Sequence, residues 1–138
     1  MKIEEQVLSI EQMKHLQELG VDTSDASLVW FMSPNTNQWK IKIKDKFAHE
    51  MLRRISPERY IPTYTTGDLI EKLPKSIGDY RLLIDWDSEI VYYQDWSGEE
   101  VLDHIGEYSF TDRPIMNALY DCLCWVAKTH KELLEVKK

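Results

Sequence analysis

Glycine is scarce in this chain. The 138 residues hold five, at positions 20, 67, 78, 98 and 106. None is arranged as G-x-G-x-x-G or as a phosphate loop, so glycine-dependent nucleotide cradles are unsupported. G-x-S-x-G is absent, which removes the nucleophile elbow. The histidines, His15, His49, His104 and His130, are scattered without helical chelate spacing. HEMLR, from His49, begins like a zinc-protease helix, but Arg53 stands where the second His must be. DWDSE, Asp85 to Glu89, has the carboxylates of a calcium loop. It lacks the central Gly and places Trp96 where the bidentate Glu is needed, so we read a solvated turn.

Cysteine is nearly absent as well. Cys122 and Cys124 lie in YDCLCWVA, a helical pattern. Residues two apart on a helix point about 200° apart, so these sulfurs neither pair nor share a metal easily. Buried, reduced thiols are expected. No stretch approaches 18 apolar residues, so no membrane span is expected. MKIEEQVLSIEQMKHLQELG has no apolar core of signal-peptide length, and we place the chain in the cytoplasm. No metal, cofactor or catalytic residue is indicated. Asp103 and His104 are the best acid–base pair, but no nucleophile accompanies them and a surface His in an acidic stretch is the plainer reading.

Positive charge is missing from one long region. Between Leu82 and Asp112 there is no Lys or Arg, while Asp85, Asp87, Glu89, Asp95, Glu99, Glu100, Asp103, Glu107 and Asp112 are acidic. Lys40, Lys42, Lys44, Lys46, Arg53, Arg54 and Arg59 cluster earlier. The net charge of -7 argues against general binding to nucleic-acid phosphates. The lysines read as a solvated strand face that discourages edge pairing. The alternatives are a basic strip for an anionic partner, or poles that pair two copies.

What is present is globular. The chain is 43% hydrophobic and 30% charged, far from the disordered regime, and its length fits one domain spanning residues 1–138. Ser9 and Gln12 form a capping box before the stripe Ile10, Met13, Leu16 and Leu19, and Gly20 ends that helix. SLVWFM reads as a strand, SPNTNQ as a turn, and WKIKIKDKF as a half-buried strand. Ile41 and Ile43 face one way, Lys40, Lys42 and Lys44 the other. Residues 46–62 stay open between a short helix, a continuing strand and a loop, bounded by Pro57 and Pro62. TTGDLIEKLP reads as a short helix capped by Thr66. A second hairpin follows, then a connection of open structure. Last comes a long helix capped by Thr111 or Asp112, with Pro114 in its first turn and a stripe of Ile115, Leu119, Cys122, Leu123 and Val126. The expected fold is α+β: one antiparallel sheet of about four strands, two hairpins, with helices on one face, in the order αββαββα.

EQVLSIEQMKHLQELGV, IPTYTTGDLIEKLP and ALYDCLCWVAKTH resemble a family of small, functionally unassigned proteins from gut bacteria, common on phage-like and conjugative elements. The resemblance implies an accessory role on a mobile element and no catalytic residue.

The second hairpin, YRLLIDWDSEIVYYQDW, is rich in aromatic side chains. A three-residue loop, Asp87 to Glu89, would put Tyr80, Leu82, Ile84, Trp86, Ile90, Tyr92 and Trp96 on one face and Tyr93 on the polar one. A loop of two or four residues would mix the faces; burial should select the cleaner register, because a one-residue slip swaps the faces of a strand, while the lack of a Gly in the loop counts against it. Trp86 is then core, while Tyr93 and Trp96 become candidate contacts for a partner or ligand. The sequence thus supports a protein that binds another protein, with Tyr93, Trp96, Lys40, Lys42 and Lys44 as candidate contacts. Pairing of two copies remains open. The alternatives are a small-ligand binder with a pocket between sheet and helix, Tyr93 or Trp96 at its mouth, and an enzyme without a recognisable motif.

Overall fold

The computed structural model describes residues 6–43, 54, 56–95, 101–107 and 114–134, with 101–107 and Pro114 described by backbone alone. The candidate caps Thr111 and Asp112 lie outside these residues.

Helix α1, Ile10–Glu18, begins as its capping box dictates. Gln12 N donates to the Ser9 hydroxyl at 3.1 Å, and Ser9 N donates to Gln12 Oε1 at 2.9 Å. Two donors that a helix start leaves open are thereby satisfied. Met13 and Leu16 are buried. Gly20 follows at φ 86, a left-handed conformation that other residues reach only with strain. The Lys131 side chain occupies the space that a Cβ at Gly20 would need.

The first hairpin is β1, Leu28–Met32, and β2, Trp39–Ile43, with Trp30 opposite Ile41 and Met32 opposite Trp39. A turn of 3-10 helix, Pro57–Arg59, leads into β3, Tyr60–Thr63, which pairs with the other side of β1. Pro62 has no N–H to donate, which suits a strand at the edge of the ladder. The N-terminal arm then meets the chain beyond β3. Val7 bridges Thr65, and Leu8 N donates to Tyr64 O at 3.0 Å.

Helix α2, Thr66–Lys72, is capped by Thr65, one residue earlier than expected. Asp68 N donates to the Thr65 hydroxyl at 3.0 Å, and Asp68 returns the bond to Thr65 N at 3.1 Å. The second sheet comprises β4, Ser76–Ile77, β5, Tyr80–Asp85, β6, Ile90–Asp95, and β7, Val101–Glu107. Helix α3, Pro114–Thr129, crosses behind β6 and β7, and a 3-10 turn, Lys131–Leu134, follows it.

The α+β class and the antiparallel pairing stand, but the single sheet is corrected to two. Their strand orders are β2-β1-β3 and β4-β5-β6-β7. A joint sheet would need one hairpin edge against the other. Instead β3 occupies the second side of β1, while β4 and β7 flank β5–β6. One hydrophobic cluster joins the parts: Met13 and Leu16 from α1, Ile61 from β3, Leu69 from α2, Val91 and Tyr93 from β6, and Leu119, Cys122, Leu123 and Val126 from α3. Polar ties hold the periphery. Gln12 Nε2 donates to Asn117 Oδ1 at 2.9 Å, linking α1 to α3. The Tyr64 hydroxyl lies 2.6 Å from Asp25 Oδ1, and Lys72 Nζ donates to Asp25 Oδ2 at 3.0 Å, which pins the loop after α1 to α2. Burial and the neighbouring Asp25 push the Tyr64 phenol well above its ordinary pKa. Among the described residues no helix is long and apolar enough to cross a membrane.

Candidate functional site

The register of the second hairpin overturns the expected location of its aromatics. Asp85 pairs with Ile90 and Leu82 with Tyr93, so the loop is four residues, Trp86 to Glu89. Such loops are built around a tight turn. Here the Asp85 carboxylate organises it, accepting from Asp87 N at 3.0 Å and Ser88 N at 3.1 Å. Those amides, Ser88 first, hold the Asp85 carboxyl below its usual range. Glu89, at φ 59, takes the left-handed position that a glycine would fill more easily. The even loop puts Tyr80, Leu82 and Ile84 on the face of Val91 and Tyr93, because directly paired residues share a face.

Two expectations are therefore corrected. Trp86 is not core: it stands beyond the ladder at the hairpin tip and is 59% exposed. Tyr93 is not on a polar outer face: it is 1% exposed, and its hydroxyl donates to Pro74 O at 2.7 Å. Burial, followed by the neighbouring Cys122, raises its phenol above the ordinary range. A side chain so placed offers no surface to a partner. Trp96 and Lys44 lie outside the described residues. Asp103 and His104 fall on β7, of which only the backbone is described.

The thiols are free and buried, as expected. Burial first, then Asp121, pushes Cys122 up to about 12, so its sulfur is protonated and a poor nucleophile at neutral pH. Among the described residues no group of three or more His, Cys, Asp or Glu is placed to hold a metal ion.

Two hollows exist. A cleft of about 440 Å³ lies between α1 with its following loop and β3. Lys14, Gln17, Asp22, Thr23, Ser24 and Glu58 give it a polar lining over Val21, Tyr60, Ile61 and Pro62. A shallower one of about 360 Å³ lies beside Trp86, with Leu83, Ile84, Asp85 and Tyr92.

The first hairpin carries a partly covered apolar face that ends in an exposed side chain. Pairing places Leu28, Trp30 and Met32 of β1 on the same face as Ile43, Ile41 and Trp39 of β2. None of these six is fully buried, and Ile43 is 83% exposed. Trp30 and Trp39 rest against the core with part of each ring outside, and Trp30 Nε1 donates to Leu8 O at 2.9 Å. On the opposite face Lys40 and Lys42 are exposed, with Lys42 Nζ 4.7 Å from the centre of the Phe31 ring. The structure thus brings Lys40 and Lys42 together with Ile41 and Ile43 on one strand, and it places Tyr93 elsewhere. Met32, Trp39 and Ile43 went unsuspected as a surface. The alternation in WKIKI showed which residues share a face, but sidedness does not say whether anything covers it.

No family model, curated protein or solved structure matches the chain.

Proposed function

We propose that the protein acts by binding another protein, through the apolar face of the β1–β2 hairpin, and has no catalytic role of its own. One observation carries this reading. Six large apolar side chains share a sheet face; five are partly buried and the sixth, Ile43 at the end of β2, is 83% exposed. An exposed apolar side chain at the margin of partly open aromatic rings is the arrangement an interaction site uses, since aromatic residues dominate the energetics of such sites. Trp30 and Trp39 supply rigid rings there, and Ile43 supplies an anchor with no folding role. The exposed Trp86 stands at a hairpin tip over a shallow hollow and lies outside this face. An accessory role on a mobile element belongs to the same proposal and rests on the resemblance of the helical segments.

The test is site-specific photo-crosslinking in cells of the source organism. A photoreactive residue at Ile43 should capture a defined protein. The same residue at Leu133, an apolar side chain 43% exposed on another part of the chain, should not. Ile43→Asp should abolish capture by affinity purification while leaving the fold intact. Equal capture from both positions, or capture that survives Ile43→Asp, sinks the reading.

A small-ligand role has one observation in its favour, the cleft between α1 and β3. It lies between helix and sheet, though away from Tyr93. A thermal-shift screen of small polar metabolites tests it, with Thr23→Trp filling the cleft as the control.

A further inference from the structure

We infer that β2 receives an extended segment of the partner as an added antiparallel strand, and that this segment alternates acidic and apolar residues. The inference rests on the protein-binding reading above and specifies how the partner is held.

Size points to strand addition. The face of two five-residue strands is roughly 17 Å long and two strands wide, well short of the ~800 Å² that each side of a standard interface contributes. A peptide added to a sheet edge needs less side-chain area, because main-chain hydrogen bonds supply much of the affinity. β2 is the outer strand of its sheet, and among the described residues no strand pairs with its outer side.

The side chains of β2 set the pattern. Trp39, Ile41 and Ile43 lie on one face, Lys40 and Lys42 on the other. Residues directly opposite on a neighbouring strand share a face and interact across it. An incoming strand therefore meets lysine, then an apolar side chain, in alternation. Its complement has Asp or Glu opposite Lys40 and Lys42, and apolar residues opposite Trp39, Ile41 and Ile43. Both lysines are exposed, Lys42 with its Nζ 4.7 Å from the centre of the Phe31 ring, and among the described residues neither enters an ion pair.

The same lysines select against the wrong strand. A second copy of β2 added antiparallel about Ile41 would set Lys40 against Lys42 of its mate, and like charges directly opposite are destabilising. Edge lysines suppress self-pairing in just this way. Here they also discriminate, since specificity comes from repelling alternatives as well as attracting the partner.

The test uses fluorescence anisotropy with the full chain and capped nine-residue peptides. One alternates Glu and Val, a second has the same residues in two blocks, and a third alternates Lys and Val. The alternating Glu/Val peptide should bind roughly tenfold tighter than the block peptide, as two cross-strand charge pairs and a register match imply. N-methylation of alternate peptide nitrogens, on whichever set faces β2, should remove binding. Lys40→Glu with Lys42→Glu should reverse the preference toward Lys/Val. Lys40→Gln with Lys42→Gln should weaken both charged peptides' distinction without reversing it, and circular dichroism should report the native fold in each variant. Equal affinity for the block peptide, indifference to N-methylation, or an unchanged preference after charge reversal overturns the inference. So does concentration-dependent dimerisation through this edge, or an oligonucleotide that outcompetes the Glu/Val peptide. If affinity capture of the cellular partner survives charge reversal but not Ile43→Asp, strand addition fails while the protein-binding reading stands. If it survives both, both fail.

Discussion

The two hairpins of this protein share a local grammar and differ in their neighbours. Each pairs two antiparallel strands with alternating side chains. β5–β6 is flanked by β4 and β7 and backed by α3, and its inner residues Val91 and Tyr93 are 0% and 1% exposed. Among the described residues β1–β2 is flanked on one side only, and no residue of β2 is buried. The second hairpin is an internal part of the fold. The first is half internal, anchored through Val29 and Trp30, and half presented. The apolar face is buried in one and only partly covered in the other, and coverage makes the difference.

The largest expected effect lies in the covered hairpin. Tyr93→Ala removes a buried ring and should cost about 3–5 kcal/mol in a denaturant melt, enough to threaten folding. A loss under 1 kcal/mol would erase the contrast between the hairpins. Tyr93→Phe isolates the hydroxyl, which donates to Pro74 O at 2.7 Å. It should cost about 1 kcal/mol, the usual net worth of such a bond plus an acceptor left unmet.

Smaller effects belong to exposed positions. Trp86→Ala and Ile43→Asp should each change stability by about 0.5 kcal/mol or less, as surface substitutions do, measured by the same melts. If Trp86→Ala proves as damaging as Tyr93→Ala, the tip is packed and the register argument fails. The smallest effect concerns pH. Asp85 has a lowered pKa in the folded protein because the Ser88 and Asp87 amides donate to it. Its contribution is therefore present above the ordinary carboxylate range and fades as pH falls through the folded value. Asp85→Asn should flatten that part of the acid limb of a stability profile, and an unaltered acid limb would show that the turn does not depend on the charge.

The candidate surface was half legible. WKIKI shows that Ile41 and Ile43 oppose Lys40 and Lys42, since side chains alternate along a strand. The same periodicity carries no information about the outer edge of β2. The strand at Tyr60–Thr63 was hidden for a different reason. It is four residues long and contains Pro62, and a short strand with a proline gives no alternation to count.

Local chemistry was enough for what depends on neighbours in sequence. Ser9 and Gln12 set the start of α1, Gly20 its end, and the apolar stripe of α3 its burial, because capping bonds and helical periodicity reach only three or four residues. The pairing of β1 with β2 belongs here too, through the turn at Pro34 and Asn35. Tertiary structure decided the rest. The register of β5–β6 differs by one residue from the cleaner apolar pattern, because the Asp85 turn closes four residues and the sheet then buries whatever lies opposite. That single residue sends Trp86 into solvent and Tyr93 into the core. Two sheets rather than one, and a face on β1–β2 that is only partly covered, follow from which distant strands meet, and no local pattern in the chain encodes that meeting.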